Sequence, residues 1–260
     1  MTRKINNSYE LGQSNAPTDG GDMLKTRGDG TLVWEGVADT TYEPKWYGGR
    51  GVFGGGSDGA TTRNNLEYIT ISTTSNTTDF GDLLVARNHL GSCSSGTRGV
   101  WAGGDWSPGL DNIDYITIST TSNATDFGNL SVARGGTPAG CSDGTTGLFG
   151  GGYAGGVSSN VIDYITIATT GNATDFGNLS ITRDGLGALS DGTYAVWGGG
   201  WTGSPSNVMD YVTISTTGNA TDFGNLSVAR RYPSGCSDAT RGIFSGGWTT
   251  PDNPMNTLDY

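Results

Sequence analysis

From residue 50 onward the hydrophobic positions come in short bursts, and the bursts return. One of them, Ile162-Asp163-Tyr164-Ile165-Thr166-Ile167, alternates apolar and polar side chains and is rich in β-branched residues, the pattern of a half-buried strand. Ahead of it Gly140-Cys141-Ser142 meets Gly147-Leu148-Phe149 across Asp143-Gly144, a pair suited to the positive φ of a hairpin turn. Behind it Thr169-Thr170-Gly171-Asn172 reverses the chain, and a strand over residues 174–180 carries Phe176 as its large apolar residue. The unit is therefore four antiparallel strands, a to d, with glycines ending strand b and a variable loop between b and c.

The unit recurs. Asp79-Phe80-Gly81 returns as Asp126-Phe127-Gly128, Asp175-Phe176-Gly177 and Asp222-Phe223-Gly224, at steps of 47, 49 and 47 residues. Tyr68, Tyr115, Tyr164, Tyr211 and Tyr260 keep the same beat, which divides the chain into repeats of about 50–97, 98–145, 146–193, 194–240 and a partial 241–260. One such sheet cannot cover its own apolar faces, so copies must stack, and four antiparallel strands per copy favour propeller blades over a solenoid. The predicted fold is all-β, a five-bladed propeller closed by N-terminal strands and preceded by an extended N-terminal arm.

Closure assigns residues 31–49 to the last blade and the first. Lys45-Trp46 aligns with Cys93-Ser94 as strand a of the first blade, and Leu32-Val33-Trp34 falls where strand d of the last would run beside residues 256–260. Met23-Leu24 and Leu32-Val33-Trp34 also flank a Gly28-Asp29-Gly30 turn, the content of a hairpin. Residues 1–30 are polar and show no period, which reads as an arm that takes its order from partner subunits.

Composition narrows the function classes. Glycine fills 46 of 260 positions, which disfavours helix, and 25 acids against 14 bases leave a net charge of −11 that repels phosphate backbones. No nucleic-acid partner is expected. No apolar run approaches the roughly 18 residues of a membrane span, and the first residues lack the apolar segment of a signal peptide, so neither membrane insertion nor secretion is expected. Cys93, Cys141 and Cys236 share one repeat position, filled by Leu189 in the remaining copy; they read as packed thiols rather than a disulfide framework or a metal ring.

The repeat resembles kelch repeats, which carry an apolar strand ending in Gly-Gly, a Tyr in the next strand, an aromatic after the c–d turn and a downstream Arg: here Gly103-Gly104, Tyr115, Phe127 and Arg134. It departs at the later aromatic, which is Phe in every copy where those repeats usually have Trp. Residues 20–35 resemble a segment common in bacteriophage tail-fibre and related virion proteins. Together these resemblances imply a non-enzymatic virion structural protein of a tail fibre or appendage, assembled in the host cytoplasm. It would meet other virion subunits through its arm and a host-surface glycan or protein through its propeller, within a homo- or hetero-oligomeric assembly. A carbohydrate-binding propeller outside a virion, and a propeller-class enzyme, are the alternatives.

Candidate chemistry is sparse. His89 is the only histidine and has no counterpart in other copies; no catalytic residue, metal or cofactor is expected. The recurrent Asp79, Asp126, Asp175 and Asp222 are expected to organise the c–d turns, with calcium at those turns as the competing reading. Arg87, Arg134, Arg183 and Arg230 are expected to bridge adjacent blades through carbonyls or carboxylates. Asn76, Asn123, Asn172 and Asn219 stand in Asn-X-Thr/Ser sequons but read as turn residues. The part that does not repeat is the b–c loop, where Trp106, Tyr153, Trp201 and Trp248 fall at nearly one height and form a candidate glycan- or protein-binding rim.

Overall fold

The structure is a computed structural model that describes residues 49–238, 240–250 and 253–260, together with the backbone of 22–26 and 32–36. The chain divides into two compact units, Met1–Pro44 and Lys45–Tyr260. In the first, Asp22–Thr26 pairs antiparallel with Leu32–Gly36, Leu24 opposite Trp34, as the hairpin reading expects. The Gly28-Asp29-Gly30 turn itself, Lys45-Trp46 and the rest of the arm lie outside the described residues.

The second unit is an all-β five-bladed propeller. The first blade shows strands b, c and d as Arg50–Gly54, Asn65–Thr70 and Thr78–Asp82. The second has a to d as Gly91–Ser94, Arg98–Ala102, Asn112–Thr117 and Thr125–Asn129. The third runs Ala139–Ser142, Thr146–Gly150, Val161–Thr166 and Thr174–Asn178. The fourth runs Gly187–Ser190, Tyr194–Gly198, Val208–Thr213 and Thr221–Asn225. The fifth shows Ser234–Ser237, Gly242–Ser245 and Leu258–Asp259 as a, b and c.

Among the described residues Leu32–Gly36 pairs with Asp22–Thr26, and Leu258–Asp259 pairs with Gly242–Ser245.

The a strands converge on the axis, where residues 92–94, 140–142, 188–190 and 235–237 line a common cavity with Arg50, Gly51 and Val52 of the first blade. Small residues are required there because neighbouring backbones nearly touch. A Cβ on Gly140 would meet the Ser92 carbonyl oxygen at 2.4 Å, and one on Gly235 would meet that of Ala188 at 2.3 Å. The cysteine slot faces across the joint: a Cβ on Gly147 would strike Cys93 Sγ at 2.6 Å, and one on Gly242 would strike Leu189 at 2.7 Å. This is the small-apolar packing expected of Cys93, Cys141 and Leu189, with Cys141 buried against Ala195. Burial pushes the Cys141 thiol up to about 12 and raises that of Cys93 as well, while Cys236 is exposed.

Two devices tie each blade to the next. The arginine after strand d enters the following blade and pairs with an aspartate on its strand c: Arg87 with Asp114 at 3.0 Å, Arg134 with Asp163 at 3.0 Å, Arg183 with Asp210 at 2.7 Å and Arg230 with Asp259. The same arginines donate to strand-b carbonyls, Arg87 to Trp101, Arg134 to Phe149, Arg183 to Trp197 and Arg230 to Phe244. In the other direction, the c–d turn of one blade lies on strand d of the blade before. The amide oxygens of Asn123, Asn172 and Asn219 accept from the backbone N–H of Asp82, Asn129 and Asn178.

Candidate functional site

At one end of the propeller the d–a linkers form a ring. Just after each buried arginine the chain enters the left-handed region, at His89 (φ 52°), Thr137 (60°), Gly185 (60°) and Tyr232 (56°). Successive linkers bond to one another: Thr137 N–H to the His89 carbonyl at 2.8 Å, Gly185 N–H to that of Gly136 at 2.8 Å, and Tyr232 N–H to that of Gly185 at 2.7 Å. Left-handed non-glycine residues cost on the order of 1–3 kcal/mol each and persist where surrounding bonds over-determine them. A β-branched residue such as Thr137 is rare there.

The b–c loops join this ring. Each begins with two glycines at positive φ, because the first lies against the carbonyl of its own blade's arginine: a Cβ on Gly103 would meet the Arg134 oxygen at 2.5 Å. The next residue bridges to the linker of the preceding blade, pairing Tyr153 with Gly135, Trp201 with Asp184 and Trp248 with Arg231. In the second blade this position is Asp105 rather than an aromatic. Its N–H donates to the Asn88 carbonyl at 2.7 Å, and its φ is 57°. Trp106 therefore sits one residue further along its loop than the other three members of the expected rim.

That offset brings Trp106 onto the next blade, where it stacks on Tyr153 with centroids 5.0 Å apart and planes 19° apart. His89 meets Trp106 edge-on at 5.7 Å and lies 6.4 Å from Tyr232. The Arg231 guanidinium lies 5.1 Å from the Trp201 centroid and 5.6 Å from that of Tyr232. Trp248 is exposed and has no ring neighbour among the described residues. Trp106 and Trp248 keep about two fifths of their surface in solvent (40% and 42%), and Tyr153 and Trp201 are half-buried.

Asp184 lies at the base of this cluster. Its residue is 1% exposed, and Cβ atoms of Asp184 and Tyr153 and the Trp106 ring all crowd Gly136. Ser158 Oγ donates to one Asp184 oxygen at 2.7 Å, and the other has no hydrogen-bond partner among the described residues. Burial raises the Asp184 carboxyl pKa, against Ser158 and the Arg231 charge, which lower it. Flat apolar faces beside carboxylate, amide and guanidinium groups suit the stacking and polar bonding that hold a sugar or a flat protein patch.

The remaining expected residues have structural surroundings. Asp79, Asp126, Asp175 and Asp222 are exposed, and the Asp175 and Asp222 carboxylates accept from the N–H of Gly177 and Gly224. No group of three or more His, Cys, Asp or Glu placed to hold a metal occurs among the described residues. His89 Nδ1 lies 2.6 Å from Asn88 Oδ1. Two sets of residues escaped the sequence reading. Asp114, Asp163, Asp210 and Asp259, the partners of the arginines, were signalled by an acid before each strand-c tyrosine. Asp184, Arg231 and Tyr232 carry no repeat signal, because they vary from linker to linker. No protein-family model matches the chain, and no curated protein matches it in sequence.

Proposed function

We propose that the propeller is a non-enzymatic recognition module whose aromatic face, built from His89, Trp106, Tyr153, Trp201, Tyr232 and Trp248, holds a glycan or protein patch on a host surface. The observation that carries this is the joining of loops from successive blades into one solvent-facing cluster, with Trp106 stacked on Tyr153 and Arg231 beside Trp201 and Tyr232. Strained linker backbone at the same end supports it, since such strain collects where structure serves binding. The setting we propose is a bacteriophage tail fibre or similar appendage, on the kelch-like repeat and the fibre-like residues 20–35, with the arm meeting other virion subunits. Trp201→Ala with Trp248→Ala is expected to weaken binding to host envelope material or its glycans by about tenfold or more, the equivalent of roughly 1.4 kcal/mol, with the melting transition retained. Unchanged binding would reject the aromatic face. Antibody labelling of intact particles tests the setting separately.

A further inference from the structure

The residue at the head of strand b covers the strand-c tyrosine in four blades and leaves it bare in one. Arg50 lays its guanidinium over the ring of Tyr68, with Cζ 4.5 Å from the centroid, and Arg98 lies 4.4 Å over Tyr115. Each also donates through Nη1 to a carbonyl of the following blade at 2.9 Å, Arg50 to Ile118 and Arg98 to Ile167. In the fourth blade the position is Tyr194, whose ring meets Tyr211 at 5.7 Å, and in the fifth it is Arg241, 5.2 Å from the Tyr260 centroid.

The third blade has Thr146 there. Thr146 pairs with Thr166 as Arg98 pairs with Thr117, so it keeps the register and the face, but its side chain is too short to cover a ring. Tyr164 accordingly meets one ring among the described residues, the edge of Phe176 at 5.9 Å, a contact that Tyr68, Tyr115 and Tyr211 also keep with their own phenylalanines. Ile214 follows Tyr211 as Ile118 follows Tyr115 and Ile167 follows Tyr164, and no arginine stands opposite its carbonyl at the head of the third blade's strand b. A cavity of about 340 Å³ adjoins Tyr164 and is lined with Thr166, Thr169, Thr170 and Thr174. Carboxylates flank the joint: Asp143 accepts from Thr146 N–H, and Asp191 accepts from the N–H of Thr193, whose carbonyl accepts from Ile214 N–H.

We propose that this place receives an arginine side chain of a partner protein. Its guanidinium lies flat on Tyr164 and donates to the Ile214 carbonyl, as Arg98 does with Tyr115 and Ile167 one blade earlier. Any cation is drawn to the ring face, but a planar fork serves ring and carbonyl together, which selects arginine over lysine. The excess of 25 acids over 14 bases favours such a partner at longer range. The slot lies among residues of the a–b and c–d turns, whereas the aromatic face is built from b–c loops and d–a linkers, so the two readings stand or fall separately.

The test titrates the full chain with N-acetyl-arginine amide and follows backbone and tyrosine-ring resonances by NMR. Saturable shifts are expected at Thr146, Tyr164 and Ile214, with N-acetyl-lysine amide binding more weakly. Tyr164→Leu should weaken binding about twofold to fivefold, the worth of one exposed cation–ring contact. Thr146→Arg, which gives the third blade the residue of the second, should fold and abolish the shifts by laying its own guanidinium on Tyr164. Absence of saturable shifts, unchanged binding in either variant, or equal shifts at Tyr68 and Tyr115 would overturn the proposal. So would equal binding of the lysine amide, or tighter binding of N-acetyl-tyrosine amide, which would make the slot one for an aromatic ring.

Discussion

Each arginine that follows a strand d carries its charge to a position with no solvent exposure, and an aspartate of the next blade makes that tolerable. For the first pair burial lowers the Arg87 pKa and raises that of Asp114, each shift opposed by the partner's charge. Removing one member leaves the other buried and uncompensated. Arg134→Leu is therefore expected to destabilise the protein by about 3–5 kcal/mol, and adding Asp163→Leu should restore much of that loss. Urea unfolding of the single and double variants measures it, and a double variant no more stable than the single one would contradict the pairing. The arginines were legible because they recur beside variable sequence. Their partners were not singled out, because Asp163 sits in an alternating strand where a polar residue reads as solvent-facing. Alternation says which side of a sheet a residue takes, not whether a neighbouring blade covers that side.

At the scale of the element, the Asp-Phe-Gly triplet is a β-bulge. In the first blade Leu66 pairs with Gly81 and Glu67 with Asp79, so Phe80 is the extra residue, and it is buried at 2% exposure. The same step recurs in the next three blades, each with its glycine at positive φ between 129° and 146°. The glycine is needed twice over, because a Cβ on Gly128 would also meet the Gly171 carbonyl of the next c–d turn at 2.4 Å. Gly128→Ala should cost roughly 1–3 kcal/mol, whereas Gly218→Ala, with open space around it, should be near neutral; thermal melts of the two compare them. The sequence reading assigned these aspartates to the c–d turns because a bulge breaks the two-residue period by which strands are recognised. The Asp-Gly hairpins show a similar limit. Asp143-Gly144 sits in a four-residue loop between the paired Ser142 and Gly147, and the Asp143 carboxylate accepts from the N–H of both Thr145 and Thr146.

For the whole molecule, blade number and strand order were readable because the repeat length and its turn residues persist through every copy. The aromatic face was only half readable: three of its rings follow a Gly-Gly pair, but how Trp106, His89 and Tyr232 meet depends on linkers that differ between blades. The joints also predict how stability is distributed. The third blade is gripped on both sides, its Asp163 paired with Arg134 and its own Arg183 with Asp210, so hydrogen exchange should be slowest over Val161–Thr166 and faster over the two-residue loop strand Val157–Ser158. Uniform protection across both segments would show that this grip does not set local opening. Finally, every arginine precedes its aspartate in the chain, by 27 to 29 residues. On the ribosome each blade must then wait for the next to emerge before its trailing charge is neutralised. At about 5–20 residues per second, maturation trails translation by on the order of a few seconds per blade, and the nascent chain always carries one unfinished edge.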